Sequence, residues 1–173
     1  MLLRCLLMKI LKLIIVLSLI GIVLVAGCIG QREETKIPSK HGVIEMRVKI
    51  SEKGENRYLV NVTIRNVGNA SLRVALPIQF ITLKFKLYKD SRELEYRGPV
   101  PTYLPLTESQ TRVLDPGESL SRSYIVDLCW WNITKAGTYQ LAVSYVTKNV
   151  ASEIDFLRTE ITIMQNVTAK SCH

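Results

Sequence analysis

The chain has 173 residues and a formal net charge of +8 at pH 7. Arg4, Lys9 and Lys12 lie in a hydrophobic N-terminal segment without acidic neighbours, so the residues after that segment keep a charge of +5. Their Lys and Arg residues are interspersed with Glu and Asp, which argues against a nucleic-acid partner, and a length of roughly 146 residues predicts one domain.

A secretory signal is predicted for residues 1–27. Lys9 and Lys12 precede an apolar run, Leu13 to Ala26, which is short for a membrane span and is followed by a small-residue exit. Met8 is the more natural start of such a signal, because the seven residues before it add nothing that export requires.

The signal ends in Leu24-Val25-Ala26-Gly27-Cys28, which resembles the lipobox of prokaryotic lipoproteins. The resemblance implies that the sulfur of Cys28 receives a lipid and that Cys28 becomes the new N-terminus. If Cys28 is not processed, Ile10 to Ile29 is long enough to form one membrane-spanning helix. Basic residues before the apolar run keep that end inside, so both anchors place the rest of the chain on the extracytoplasmic face of the membrane.

Residues 28–42 are predicted to form the lipidated N-terminus and a flexible tether. The segment GQREETKIPSKHG is polar, has neither a helical nor a strand period, and contains Pro38. A random coil of this length reaches on the order of 20 Å.

From residue 43 to residue 168, apolar and polar residues alternate in short segments, as in strands with one buried face. Turn residues such as Asp90-Ser91 and Asp115-Pro116-Gly117 separate the segments, and residues 169–173 are expected to form a C-terminal tail. The predicted inward-facing rows are Ile44, Met46, Val48 and Ile50; Tyr58, Val60, Val62 and Ile64; Ile81, Leu83, Phe85 and Leu87; Leu120, Tyr124, Val126 and Leu128; Tyr139, Leu141, Val143 and Tyr145; and Leu157, Ile161 and Ile163.

About seven to nine short strands at regular spacing predict an all-β, antiparallel sandwich with Greek-key connections, preceded by the hydrophobic signal or anchor helix. The run from Lys135 to Leu141 (KAGTYQL) resembles the tyrosine corner of immunoglobulin-like domains. The resemblance implies that the hydroxyl of Tyr139 bonds back to the preceding loop. Leu141 stands where that family has a cysteine, so the resemblance does not extend to the family's inter-sheet disulfide.

A broader resemblance covers about residues 57 to 147. The segments NVTIRNVGNASLRV, LDPGES and GTYQLAVSY are similar in order to small prokaryotic immunoglobulin-like domains, including proteinase inhibitors of the BsuPI type. That family implies an inhibitory loop, for which the proline-rich segment Gly98 to Gln110 is the candidate. The alternative is that this segment only connects two strands.

An enzyme is not expected. The two histidines, His41 and His173, lie in the tether and at the chain end, so a serine or cysteine nucleophile lacks an ordered imidazole base. No Cys-x-x-Cys or His-x-His pattern predicts a metal site, and no glycine-rich phosphate loop predicts a nucleotide cofactor.

Two cysteines, Cys129 and Cys172, follow the signal and the lipidation candidate. Thiols outside the cytoplasm tend to oxidise. A bond between them would close a loop of about 43 residues and contribute on the order of 4 kcal/mol. The alternative of two free thiols stays open, because Cys172 lies in the terminal tail.

Two adjacent tryptophans, Trp130 and Trp131, are a candidate binding surface for sugar rings or a protein, because they offer a large contact area at low entropic cost. Tyr103, between prolines, is a weaker candidate of the same kind. For all three, the alternative is that the rings cap the open end of the core.

Four of the seven asparagines, Asn61, Asn69, Asn132 and Asn166, lie in Asn-x-Ser/Thr sequons. Together with the Lys, Arg, Glu and Ile usage, they suggest an archaeal surface glycoprotein. The alternative is that they are ordinary polar positions.

The sequence therefore predicts a non-enzymatic, membrane-anchored binding or accessory module, without a cofactor, whose protein or glycan partner it does not identify. An extracytoplasmic proteinase inhibitor is the second hypothesis. A small hydrolase, the third, would need an ordered lysine or carboxylate pair in a cleft.

Overall fold

The computed structural model describes residues 39–41, 43–102 and 105–172, with only the backbone described for residues 39–41. The described chain is all-β, and it contains no α-helix. This part of the protein holds no helix with the length and hydrophobicity needed to span a membrane. The signal or anchor helix and the lipidation candidate Cys28 lie outside the described residues.

The strands are β1 (Ser39–His41), β2 (Ile44–Gly54), β3 (Arg57–Asn66), β4 (Leu72–Ala75), β5 (Leu83–Lys89), β6 (Arg92–Glu93), β7 (Thr111–Leu114), β8 (Ser119–Asp127), β9 (Gly137–Val146) and β10 (Glu160–Ala169).

The strands form two four-stranded sheets and one small pair. The strand orders are β1-β2-β3-β8, β10-β9-β5-β6 and β4-β7, and every strand pairing is antiparallel. The fold class predicted from the alternating pattern is confirmed to this extent, and the arrangement is compatible with a β-sandwich.

One hydrophobic core receives side chains from both four-stranded sheets. On β3, Val60, Val62 and Ile64 are 0% exposed, while the residues between them are partly or fully exposed. The predicted alternation is therefore confirmed on β3. On β9 the predicted inward row Tyr139, Leu141, Val143 and Tyr145 is buried, but Ala142 and Ser144 between its members are buried too. Burial of these apolar rows supplies the main force that holds the two sheets together. The largest fully buried core side chains are Tyr145, Ile44, Met46, Ile64, Leu83, Leu87, Leu114, Leu128, Ile133, Leu141, Ile161 and Val60.

Two predicted turns are present with the backbone conformations that their residues favour. Asp90 and Ser91 have φ values of 49° and 66°, and the β5–β6 hairpin closes around them. Positive φ at both central residues is what a tight two-residue hairpin needs. Gly117 has φ 82° in the turn between β7 and β8, and Glu118 donates to the Asp115 backbone oxygen at 2.9 Å.

The strands extend further than the pattern predicted. β2 continues beyond the predicted inward row, through Ser51 to Gly54, so only the pair Glu55–Asn56 separates it from β3. Ser39–His41, expected in the tether, pairs with β2 from Ser39↔Met46 to His41↔Ile44. Backbone groups make that pairing, so it requires no apolar pattern.

The C-terminal residues are also more ordered than the predicted tail. Ala169 ends β10, and the backbone N–H groups of Lys170 and Cys172 donate to Asn56 Oδ1 at 2.7 Å and to the Ile133 oxygen at 3.0 Å. The end of the described chain is thus held against two distant turns.

Candidate functional site

The two tryptophans of the predicted binding surface have different positions. After β8, a 3₁₀ turn at Leu128–Trp130 directs Trp131 inward, where it is 3% exposed and forms an isolated β-bridge with Tyr96. Trp131 is therefore a core residue, in agreement with the alternative that the ring caps the core, and it does not offer a binding surface. Trp130 is half-buried.

An aromatic cluster, defined as Phe80, Tyr96, Trp130 and Trp131, lies at this end of the molecule. The ring of Tyr96 meets those of Trp131, Phe80 and Trp130 at centroid distances of 5.1, 5.8 and 6.3 Å, all edge to face. Such contacts place the positive ring edge on the negative ring face, which fixes the orientation of each ring.

The aromatic cluster supports the start of the proline-rich segment Gly98 to Gln110. Arg97 donates its backbone N–H to the Trp130 oxygen at 2.6 Å, and the Tyr96 hydroxyl donates to the Pro99 oxygen at 3.1 Å. A Cβ atom added to Gly98 would lie 2.4 Å from Tyr96 Oη and 2.7 Å from Trp130 Cγ. The backbone therefore approaches the rings so closely that only glycine fits.

The other end of the segment is fixed by a second small core. Leu106 is 3% exposed and packs with Ala75 and Phe156. Its backbone N–H donates to the Ala151 oxygen at 3.0 Å, and its oxygen accepts from Ser152 Oγ at 3.2 Å. Between the two fixed ends Val100 is 61% exposed. Tyr103 lies outside the described residues.

Next to the aromatic cluster lies an open groove of about 540 Å³. Most of its walls are apolar, and none of the described residues that line it is acidic. The side-chain ammonium of the exposed Lys84 makes no hydrogen bond or ion pair with any residue that the structure describes. The groove is lined by Phe80, Ile81, Lys84, Pro105, Val146, Asn149, Val150 and Ala151.

Phe80 joins the groove to the aromatic cluster and has an unusual backbone. Its φ is 69°, a value that bulky residues rarely adopt, and its N–H donates to the Leu83 oxygen at 2.8 Å. Strain of this kind tends to occur at functional sites. Sequence reasoning missed both Phe80 and Lys84, since the run Gln79-Phe80-Ile81 has no glycine or proline that would have marked the turn.

Cys129 and Cys172 form a disulfide, with Cα atoms 5.4 Å apart. The bond ties the 3₁₀ turn that carries Trp130 to the end of β10.

The sequon asparagines differ in exposure. Asn69, Asn132 and Asn166 are exposed. Asn61 is half-buried on the outer face of its sheet, where its Nδ2 donates to Ser123 Oγ at 2.9 Å.

Three tyrosines with raised pKa values have structural roles. Burial raises the pKa of Tyr124, Tyr139 and Tyr145, and each hydroxyl donates to a backbone oxygen, of Pro77, Lys135 and Ala75 respectively. Among the described residues, no three His, Cys, Asp or Glu side chains are grouped so that they could hold a metal ion.

Two comparisons with known proteins add no relative. No model of a known protein family matches the chain. A search of curated proteins also finds no match. The interpretation of the groove and of the segment beside it therefore depends on their geometry.

Proposed function

We propose that this chain is a non-enzymatic binding module with an immunoglobulin-like fold, anchored to the outer face of a prokaryotic membrane by a lipid on Cys28. The signal pattern and the lipobox resemblance support the location. The Cys129–Cys172 disulfide agrees with it, since such bonds persist outside the cytoplasm.

Two structural features support the immunoglobulin-like assignment. The order β2-β3-β8 corresponds to strands A, B and E of that family, and β10-β9-β5-β6 corresponds to G, F, C and C′. Tyr139 Oη donates to the Lys135 oxygen at 2.5 Å, as in a tyrosine corner.

The groove is the observation that carries the binding role. Its volume lies in the range of ligand sites, and its walls are apolar with few polar groups. The unpaired ammonium of Lys84 favours an anionic group. The proposed ligand is therefore a segment of an extracytoplasmic protein that presents an apolar side chain next to a carboxylate.

Photo-crosslinking in native membranes tests this role. A p-benzoylphenylalanine at position 151, in the groove, is expected to capture one partner. The same residue at position 121, at an exposed position of β8 in the sheet β1-β2-β3-β8, is expected to capture none. Lys84→Gln should abolish the capture, and the control Lys49→Gln, an exposed lysine on that sheet, should not. Equal capture at both positions, or capture that does not depend on Lys84, would contradict the proposed site.

The lipid anchor is tested separately through Cys28→Ala. The lipid anchor predicts that the wild-type chain begins at a lipid-bearing Cys28, whereas the variant lacks the lipid and keeps the uncleaved signal segment. A variant whose mass differs from the wild type only by the substitution would favour an uncleaved transmembrane helix instead.

A second candidate function is proteinase inhibition, and the fixed ends of the Gly98–Gln110 segment favour it. A substrate-like inhibitor needs an exposed residue on a backbone that is ordered before binding, because ordering costs affinity. Val100 meets that description. The purified domain should slow at least one protease of a panel, and Val100→Glu should remove the effect while Val113→Glu, at a 46% exposed position on β7, should not.

We also propose glycan attachment at Asn69, Asn132 and Asn166. Their exposure supports modification in the folded state, whereas the amide of Asn61 is engaged with Ser123. Peptide mass spectrometry of native protein tests this, and unmodified peptides at all four sequons would remove the proposal.

A further inference from the structure

The side-chain amide of Asn56 contacts both sulfurs of the disulfide. Asn56 Nδ2 lies 3.3 Å from Cys129 Sγ and 3.2 Å from Cys172 Sγ, in donor geometry to each, and 3.2 Å from the Lys170 oxygen. Asn56 Oδ1 accepts from the Lys170 N–H at 2.7 Å. The side chain is therefore held by Lys170, directly after β10, with its amide nitrogen within hydrogen-bond distance of both sulfurs.

The position of Asn56 is set by its backbone as well. It has φ 57° in the two-residue turn between β2 and β3 and is 7% exposed. Asn is one of the few residues that tolerate this conformation. The donor is thus preorganised before any reaction occurs at the disulfide.

The disulfide is accessible from solvent. Cys129 is exposed and Cys172 is half-buried, and both line an open depression of about 510 Å³. Its lining carries two cationic side chains, Lys53 and Arg57, and two anionic ones, Glu55 and Asp127.

We propose that this disulfide is a thiol–disulfide exchange site for a dithiol reductant, with Asn56 stabilising the departing thiolate. One thiolate of the dithiol attacks Sγ of Cys129, the more exposed of the two cysteines, and forms a mixed disulfide. The Cys129–Cys172 bond breaks, and its electron pair leaves on Cys172 Sγ, to which Asn56 Nδ2 donates. The second thiol of the dithiol then displaces Cys129, so that the dithiol is oxidised to a disulfide and both cysteines become thiols.

Opening the bond affects the segment that carries the tryptophans. The Cys172 N–H donates to the Ile133 oxygen, and Ile133 is 1% exposed two residues after Trp131. Without the disulfide, the Cys129–Ile133 segment is no longer covalently tied to β10. The redox state of the bond therefore sets how firmly Trp130 is held against Tyr96 in the aromatic cluster.

The rate of reduction by dithiothreitol tests the role of Asn56. Asn56→Asp keeps an acceptor for Lys170 but removes the donor, and Asn56→Gly removes the side chain while it permits the positive φ. Both variants are expected to be reduced about tenfold more slowly than the wild type, because a positioned donor no longer stabilises the developing charge. Tyr58→Phe is the control, since the Tyr58 hydroxyl holds the same end of β10 through the Thr168 oxygen at 2.6 Å without contacting either sulfur. Its rate should be unchanged or higher.

A structural role alone predicts the opposite direction, because loss of the Asn56 hydrogen bonds loosens the C-terminus and exposes the bond. Reduction of both Asn56 variants at the wild-type rate or faster would overturn the proposal. A second measurement uses Cys129→Ser, in which Cys172 is a free thiol. Its alkylation by iodoacetamide near neutral pH should be faster with Asn56 present than after Asn56→Gly, and an equal or slower rate with Asn56 would also overturn it.

Discussion

The side-chain amide of Asn66 donates to the Leu114 backbone oxygen at 2.9 Å and so joins the end of β3 to the end of β7. The same Nδ2 donates to the Ala70 oxygen at 2.8 Å, and Oδ1 accepts from the Gly68 N–H at 2.9 Å. Asn66 is 0% exposed. One buried carboxamide therefore closes the turn after β3 and attaches the β4–β7 pair to the sheet β1-β2-β3-β8.

Asn66→Ala should destabilise the fold by about 1–3 kcal/mol, because the Leu114 and Ala70 oxygens lose the donor that the buried amide supplies. Urea unfolding followed by circular dichroism measures this change. Asn69→Ala, at an exposed position in the same turn, is the matched control and should stay within about 0.5 kcal/mol of the wild type. Equal losses in the two variants would contradict the role of the buried amide.

Gly98→Ala should disturb the base of the Gly98–Gln110 segment. The added methyl would overlap the rings of Tyr96 and Trp130, so the backbone at Gly98 must move away from the aromatic cluster. We expect faster proteolysis near Val100 and a loss of about 1–3 kcal/mol, the usual cost of overpacking. Val100→Ala, on the exposed part of the segment, should cost little. A Gly98→Ala protein with wild-type protease resistance would show that the contact does not order the segment.

The sequence predicted the elements whose partners are implied by local chemistry. Val60, Val62 and Ile64 alternate with the polar residues Asn61 and Thr63, and burial of one sheet face favours that pattern. Asp115-Pro116-Gly117 forms the predicted turn because the glycine supplies the positive φ at no steric cost.

What the sequence did not predict depends on distant partners. Asn56 makes its sulfur contacts with residues 73 and 116 positions away, so no local signal separates it from any other turn asparagine. The left-handed Phe80 is imposed by its surroundings against its own preference. The Lys84 side of the groove arises only when the start of β5 meets the connection after β9.

The two adjacent tryptophans should differ strongly when truncated. Trp131→Ala removes a core ring that is 3% exposed and should cost about 3–5 kcal/mol. Trp130→Ala removes a half-buried ring and should cost less than about 2 kcal/mol. The midpoints of urea unfolding, compared at the same m-value, give the two stability losses. A larger loss for Trp130→Ala would contradict the assignment of Trp131 to the core. If the proposed partner touches the aromatic cluster, Trp130→Ala alone should also weaken its capture at position 151.

Tyr145 should make stability fall in alkaline solution. Burial raises the pKa of its hydroxyl, whereas the unfolded chain ionises near the ordinary value of about 10. The contribution of Tyr145 is therefore fully present below about pH 10 and is lost as the pH rises above it, because the unfolded state releases its proton first.

In Tyr145→Phe, the Ala75 oxygen loses its donor, so the variant should be less stable by about 1–3 kcal/mol at pH 8. Above about pH 10 that gap should shrink by about 1.4 kcal/mol per pH unit, since only the wild type carries this linkage. Urea unfolding from about pH 8 to about pH 11.5 measures both free energies, and a gap that stays constant would show that the Tyr145 hydroxyl ionises as readily in the folded chain as in the unfolded one.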